Sequence, residues 1–148
     1  MTAMDDDPYD LNRFVEAQRG DYATALEEIT RGQKESHWMW YIFPQFEGLG
    51  FSPTSRRYAI KSVPEARAYL QHPVLGPRLI ECAAAALRLD GRSALDVFGS
   101  PDDQKLRSSA TLFAHVSPPG SVFEQLLGKF FQGVPDNRTL ALVAGAES

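Results

Sequence analysis

The sequence contains very little cysteine and no long hydrophobic run. Cys82 is the one cysteine among 148 residues, so no disulfide can form within the chain, and its apolar surroundings, CAAAAL, predict a buried thiol rather than a reactive one. No apolar run approaches the roughly 20 residues that a membrane-spanning helix needs. The acidic start MTAMDDDPYD also lacks the basic and apolar regions of a signal peptide. We therefore expect a cytoplasmic protein without a membrane partner.

Excess positive charge and metal-binding patterns are also missing. The formal net charge is −4 at pH 7, which argues against nucleic-acid binding because that function needs a basic face. No two His or Cys residues have the spacing of metal ligands, and no glycine-rich phosphate loop is present, so we expect no metal and no cofactor. In the range 51–92, however, seven Arg or Lys accompany three acids. This local balance suits either an anionic ligand or an ordinary solvated surface.

Helix signals are frequent, whereas alternating strand patterns are absent. Asp10 and Asp21 are candidate N-caps, and Gly20 and Gly32 stand where the first two helices would end. Four pairs with the pattern Ser-x-x-acid predict further helix starts. These pairs are Ser62 with Glu65, Ser93 with Asp96, Ser100 with Asp103, and Ser121 with Glu124.

The predicted helices are short and follow one another closely. They lie near residues 10–19, 21–31, 38–43, 64–70, 74–90, 94–98, 101–116, 122–132 and 137–144, with one or two further turns near 55–60. We therefore predict an all-α fold, a compact single domain of roughly seven to nine short helices with no significant sheet. This domain covers residues 8–148, and residues 1–7 form a disordered acidic tail.

An aromatic stretch, HWMWYIFPQ at residues 37–45, concentrates large rigid side chains at one point. His37 can exchange a proton near neutral pH and is a candidate catalytic residue, although a lone His beside Trp also occurs in hydrophobic cores. Trp38, Trp40 and Tyr41 are suited either to stacking on a planar ligand or to core packing. Gln45 lies where a loop begins, and its amide could bind the ligand or cap the preceding helix.

A second polar cluster lies at a predicted helix start after the turn at residues 99–101. Lys105 and Ser108 supply hydrogen-bond donors there that could bind phosphate or carboxylate. The neighbouring acids Asp102 and Asp103 are explained by the helix dipole, which favours negative charge in a first turn. We therefore regard Lys105 as a second candidate catalytic residue and Ser108 as a candidate ligand contact.

These motifs together resemble the bacterial domain-of-unknown-function family numbered 1810. The resemblance is carried by RFVEAQ, HWMWYIFPQ with the following GLG, AYLQHPVLGPRL, FGSPDDQKLRSSATLF, and the closing FFQG with DNRTL. It covers nearly everything from Asp7 to Val143 and implies a mainly helical fold, but no activity. Members are sometimes labelled calpastatin-like, which does not suit this chain because it has no repeats and enough apolar residues to fold.

Two functions of different class are consistent with these residues. In the first, His37 and Lys105 share a cleft that binds a small anionic or planar metabolite, such as a nucleotide or an ADP-ribose-like group, and hydrolyses or transfers part of it. In the second, a non-catalytic module uses Phe43, Phe46 and Phe51 to contact a protein partner or a second copy of the chain. The mixture of aromatic and polar residues in one stretch favours the first function.

Overall fold

Residues 7–147, the part of the chain that the computed structural model describes, form ten helices. They are α1 (Asn12–Gln18), α2 (Tyr22–Arg31), α3 (Met39–Ile42), α4 (Pro53–Arg57), α5 (Val63–Gln71), α6 (Leu75–Leu87), α7 (Ala94–Phe98), α8 (Asp102–His115), α9 (Val122–Phe131) and α10 (Asn137–Glu147). The predicted all-α single domain is confirmed, and α4 is the helix predicted only as one or two turns. Phe46 and Ile60 form an isolated parallel bridge. Within these described residues, no helix has the length and apolarity to cross a lipid bilayer.

The first helix begins differently from the prediction. Asp10 is not its N-cap: Asp10 has a φ of 51°, and Leu11 precedes the helix without a side-chain cap. The carboxylate of Asp7 instead accepts hydrogen bonds from the amides of Leu11 at 2.7 Å and Asn12 at 3.0 Å. A tight turn that bonds the amide of Asp10 to the carbonyl of Asp7 brings this carboxylate to the helix start. The rest of the predicted acidic tail, residues 1–6, lies outside the described residues.

Three of the four predicted serine caps are confirmed. In each, the serine hydroxyl accepts a hydrogen bond from the amide three residues later; they are Ser62 at α5, Ser93 at α7 and Ser121 at α9. The fourth prediction is wrong, because Pro101 directly precedes α8 and no side chain caps that helix. The helix begins one residue later than the pattern predicts, and the amide of Asp103 bonds to the carbonyl of Gly99 at 2.8 Å.

Helix α8 lies at the centre of the core and packs against α5, α7, α9 and α10. A chain of aromatic rings crosses it. The ring of Phe14 lies 5.1 Å from that of Tyr69, Tyr69 lies 5.4 Å from Phe113, and Phe113 lies 5.6 Å from Phe123. These contacts join α1, α5, α8 and α9 in one core. The predicted buried thiol of Cys82 is also confirmed, and burial raises its pKa to about 12.

A buried arginine connects α1 to the segment that runs from α4 to α5. Arg13 is only 7% exposed, and its guanidinium makes five hydrogen bonds. They reach the carbonyls of Arg57 (2.7 Å), Tyr9 (2.7 Å), Asp10 (2.9 Å) and Ala59 (2.8 Å), and the carboxylate of Glu65 (2.7 Å). Since a guanidinium has five N–H donors, every donor of Arg13 is used. Burial of this charge is tolerated because it is fully paired.

Candidate functional site

The aromatic stretch divides between the core and the surface. Trp38 is 1% exposed, and its indole N–H donates to the carboxylate of Glu28 at 2.9 Å. Met39 and Phe43 are also buried, whereas Trp40 and Tyr41 are half-buried. The short helix α3 ends at Ile42, in agreement with the predicted break before the proline. Half of the stretch therefore anchors α3, and the other half remains in reach of solvent.

Glu28 shapes the loop that leads into α3. Its carboxylate accepts four hydrogen bonds, from the amides of Glu35 (2.8 Å) and Ser36 (2.9 Å), the hydroxyl of Ser36 (2.6 Å) and the indole of Trp38 (2.9 Å). Burial by itself would raise the pKa of this carboxyl, but these hydrogen bonds, that from the Ser36 hydroxyl foremost, lower it to about 2. An ionised Glu28 therefore holds the loop that carries Lys34 and His37.

A cavity of about 270 Å³ lies between this loop and the start of α8. We call it the His37 cavity, and its lining residues are Lys34, His37, Met39, Trp40, Ser100, Pro101, Asp102 and Lys105. Two segments that are far apart in the sequence thus meet at one point. Within residues 7–147, no three His, Cys, Asp or Glu side chains come together as a metal site would require.

The charges of the His37 cavity centre on one carboxylate between two lysines. One oxygen of Asp102 lies 2.8 Å from the ammonium of Lys34, and the other lies 3.5 Å from that of Lys105. The Lys34 side chain is 7% exposed and also donates to the carbonyl of Ser36 at 2.6 Å. The Lys105 ammonium is 4.9 Å from the centre of the Trp40 ring. The lining thus carries one more lysine than carboxylate.

Two polar groups of the cavity have unused hydrogen-bonding capacity. The ammonium of Lys105 makes no hydrogen bond to any described residue, and its contacts are the 3.5 Å ion pair and the Trp40 ring. The imidazole of His37 likewise has no hydrogen-bond partner among residues 7–147, although its backbone carbonyl accepts from the Tyr41 hydroxyl at 3.2 Å. Both groups are therefore available to a ligand.

Three of the seven predicted site residues, His37, Trp40 and Lys105, line the His37 cavity. Trp38 is in the core, and the hydroxyl of Ser108 is buried and donates to the carbonyl of Gln104 at 3.1 Å. These two residues therefore do not line the cavity.

The remaining two predicted residues lie beside the cavity. Tyr41 donates to the carboxylate of Asp21, which explains why Asp21 does not cap α2 as predicted. Gln45 and Trp40 line a separate space of only about 10 Å³. The backbone carbonyl of Gln45 accepts a hydrogen bond from the amide of Ile60 at 2.8 Å.

The sequence reasoning missed two charged residues of the cavity. Lys34 lies in the polar loop GQKES directly before the aromatic stretch, and that proximity was the one available signal. In the sequence, the helix dipole is a sufficient explanation for Asp102, and the residue does lie in the first turn of α8. Its contacts with both lysines could not be read from spacing, because Lys34 belongs to a distant part of the chain.

Comparisons with known proteins agree with this fold. A family model described as a protein of unknown function, DUF1810, matches residues 8–143. The crystal structure of a conserved hypothetical protein from Mycobacterium tuberculosis is similar, with a TM-score of 0.91 and 51% sequence identity over 93% of this chain and 99% of that one. No curated protein matches the sequence.

Proposed function

Because the chain belongs to DUF1810, a family of unknown function, we propose its function from the His37 cavity itself: the protein binds a small anionic metabolite there. The observation that supports this proposal most directly is the Lys105 ammonium. It lines the His37 cavity, its side chain is only 22% exposed, and it has no hydrogen-bond acceptor among the described residues. A partly buried ammonium whose N–H donors make no hydrogen bond within the protein is well placed to bind an anion, because desolvated charges interact strongly.

The two lysines have different parts in this proposal. Lys34 is held by Asp102 and by the carbonyl of Ser36, so it contributes positive potential more than a new hydrogen bond. Lys105 is only loosely paired with Asp102 at 3.5 Å, so its donors can turn to a ligand at little cost. Asp102 neutralises only one of the two lysines, and a bound anion would compensate the positive charge that remains.

The size of the His37 cavity narrows the ligand class. Its volume of about 270 Å³ is just below the roughly 300–1,000 Å³ typical of pockets for drug-sized ligands. A sugar phosphate or a small carboxylic acid would fit, whereas a nucleotide or an ADP-ribose-like group would place only its phosphate inside. Lys105 already lies over the Trp40 ring, so recognition of the charged group is favoured over stacking of a base.

His37 gives the proposed site its chemical capacity. Its imidazole lines the same cavity as the Lys105 ammonium and has no other described partner. A neutral imidazole can accept a proton from a bound ligand and its protonated form can donate one, the roles that hydrolysis or group transfer requires. We assign His37 the proton-transfer role in any such reaction, and Lys105 the binding of the anion.

The proposal predicts ligand stabilisation that depends on Lys105. We expect a thermal-shift screen of phosphate, sugar phosphates and small carboxylates to give a hit, since a ligand at 100 times its dissociation constant adds about 2.7 kcal/mol to stability. Lys105→Ala should abolish the shift, and His37→Ala should weaken it. Lys129→Ala is the matched control, because Lys129 also lies over an aromatic ring, 5.7 Å from that of Phe130, on another helix.

Two outcomes of this screen would contradict the proposal. A hit of equal affinity in the Lys105→Ala variant would place the ligand elsewhere. If no compound of these classes shifts the unfolding temperature of the wild-type protein, the His37 cavity is not an anion site.

The exposed ring of Phe51 is the one observation that favours the second predicted function, a contact with a protein partner or a second copy. Of the three phenylalanines that motivate it, Phe43 and Phe46 are buried, whereas Phe51 is 68% exposed. One exposed ring offers a partner less apolar surface than the three rings of the prediction would. Sedimentation of the wild-type protein beside Phe51→Ser tests this function, which requires an oligomer or a partner complex that the variant loses.

A further inference from the structure

A second concave surface lies between the turn before α1 and helix α4. We call it the basic groove; its volume is about 610 Å³, and Tyr9, Arg56, Arg57, Lys61 and Ser62 are among its lining residues. It shares no lining residue with the His37 cavity. The groove also accounts for part of the positive balance that the sequence shows in the range 51–92, because three of those seven cations meet here.

Among residues 7–147, the three cations of the basic groove have no carboxylate partner. Arg56, Arg57 and Lys61 are exposed, and within residues 7–147 none of them forms an ion pair. The two acids that line the groove do not neutralise them: Glu65 is buried against Arg13, and the exposed Asp10 offers a single charge. A protein with a net charge of −4 thus presents a local excess of positive charge around a concave surface.

The groove is also rich in donors and poor in free acceptors. Arg13 engages the four backbone carbonyls described above, and the Lys61 ammonium donates to the carbonyl of Arg56 at 3.3 Å. The Ser62 hydroxyl accepts from the amide of Glu65, so its own proton remains available to a ligand. A peptide would bring N–H donors that need acceptors here. A phosphate group brings acceptors alone, and guanidinium groups bind its oxygens in pairs.

We propose that the basic groove binds a diphosphate or triphosphate group, through Arg56, Arg57 and Lys61. Three cations suit a ligand with at least two negative charges, which a chain of phosphates supplies. Arg13 acts as a positioning residue, because its bonds to the carbonyls of Arg57 and Ala59 fix the segment that carries the three cations. Since the cations are exposed, binding should weaken as salt screens their charge.

Calorimetric titration with inorganic pyrophosphate and tripolyphosphate at low and high salt tests the proposal. We expect saturable binding at low salt, reduced at high salt, and a loss of about tenfold or more in the triple variant R56Q/R57Q/K61Q, because several charge-assisted hydrogen bonds are removed. The variant R67Q/R88Q/R138Q, which changes three exposed arginines outside the groove and so removes as many positive charges, is the control for net charge.

Two further comparisons separate the basic groove from other sites. In the Lys105→Ala background, which removes the anion site proposed at the His37 cavity, R56Q/R57Q/K61Q should still lower pyrophosphate affinity by about tenfold or more, because Lys105 does not line the groove. Loss of all pyrophosphate binding on Lys105→Ala alone would assign the ligand to the His37 cavity and overturn the inference. A nucleoside triphosphate that binds no better than tripolyphosphate would identify the phosphates as the recognised group. Absence of binding at low salt, or equal losses in R56Q/R57Q/K61Q and in R67Q/R88Q/R138Q, would also overturn it.

Discussion

At the scale of single residues, Arg13 holds α1 to the turn before it and to the segment that runs from α4 to α5 through the five hydrogen bonds of its guanidinium. It spans three chain segments because its five donors fit four carbonyls and one carboxylate. Lysine could not replace it, since an ammonium has three donors and a different geometry. The resemblance motif RFVEAQ contains this arginine, but no pattern in the sequence indicates that it is buried.

Replacement of Arg13 should destabilise the protein strongly. We expect Arg13→Met to lower the free energy of unfolding by about 3–5 kcal/mol, because the change leaves Glu65 charged, buried and unpaired. Urea unfolding measures the difference. Arg19→Ala is the comparison, since the Arg19 pair with Glu16 is exposed at 70% and 51% and should contribute about 1 kcal/mol or less. Similar losses in both variants would contradict the role given to Arg13.

Glu28 should make stability depend on pH in the acid range. Its pKa is about 2 in the folded protein against an ordinary 4.5, so the ionised form stabilises the native state. That contribution is fully present above about pH 4.5 and is lost as the pH falls toward 2, with a total of roughly 3 kcal/mol. Urea unfolding from pH 6 to pH 2 should show a steeper loss in the wild type than in Glu28→Gln, which has no charge to titrate there. Equal slopes would refute this assignment.

At the scale of elements, the close approach of α5 and α6 depends on one glycine. Gly76 is buried in the first turn of α6, and a Cβ built on it would overlap the backbone carbonyl of Leu70 at the end of α5. Backbone cannot move aside as a flexible side chain can. The short turn at residues 72–74 holds the two helices together at this point, so the contact leaves no room for adjustment.

Gly76→Ala should therefore be strongly destabilising. We expect a loss of at least about 2 kcal/mol in thermal or urea unfolding, because the added methyl overpacks a site that cannot relax. The matched control is Gly128→Ala in α9, where the added Cβ would meet no atom within 4 Å beyond the neighbouring residues and the backbone of its own helix. That change should stabilise the protein by about 0.5–1 kcal/mol, since alanine favours a helix more than glycine does. A neutral Gly76→Ala would show that α6 can shift away from α5.

At the scale of the whole molecule, the continuous aromatic core predicts cooperative unfolding. Four aromatic rings connect the first helix to the ninth; they belong to Phe14, Tyr69, Phe113 and Phe123. Trp38 lies in the same core, so its fluorescence changes when the core unfolds. We expect the tryptophan fluorescence and the far-UV circular dichroism to change in one coincident transition. Two separate transitions would show that part of the helical structure unfolds on its own.

Much of the fold could be predicted because helix capping is local. A serine and the amide three residues later are close in any helix start, so Ser62, Ser93 and Ser121 could be identified without knowledge of the tertiary structure. The same rule misplaced the start of α8 at Ser100, where the chain turns once more before the helix begins. It also failed for Asp10, because the carboxylate of Asp7 binds the amides at that helix start. It failed for Asp21 because the fold brings the Tyr41 hydroxyl to that carboxylate.

The sequence by itself determined the helical class, the starts of the helices that Ser62, Ser93 and Ser121 cap, and the position of the aromatic stretch, because these depend on residues within about one helical turn of each other. It also indicated His37, Trp40 and Lys105, which line one cavity. Only the tertiary structure decided that Lys34 and Asp102 meet there, and that Trp38 belongs to the core. Electrostatic contacts depend on distance in space, and residues far apart in the chain become neighbours only after the helices pack.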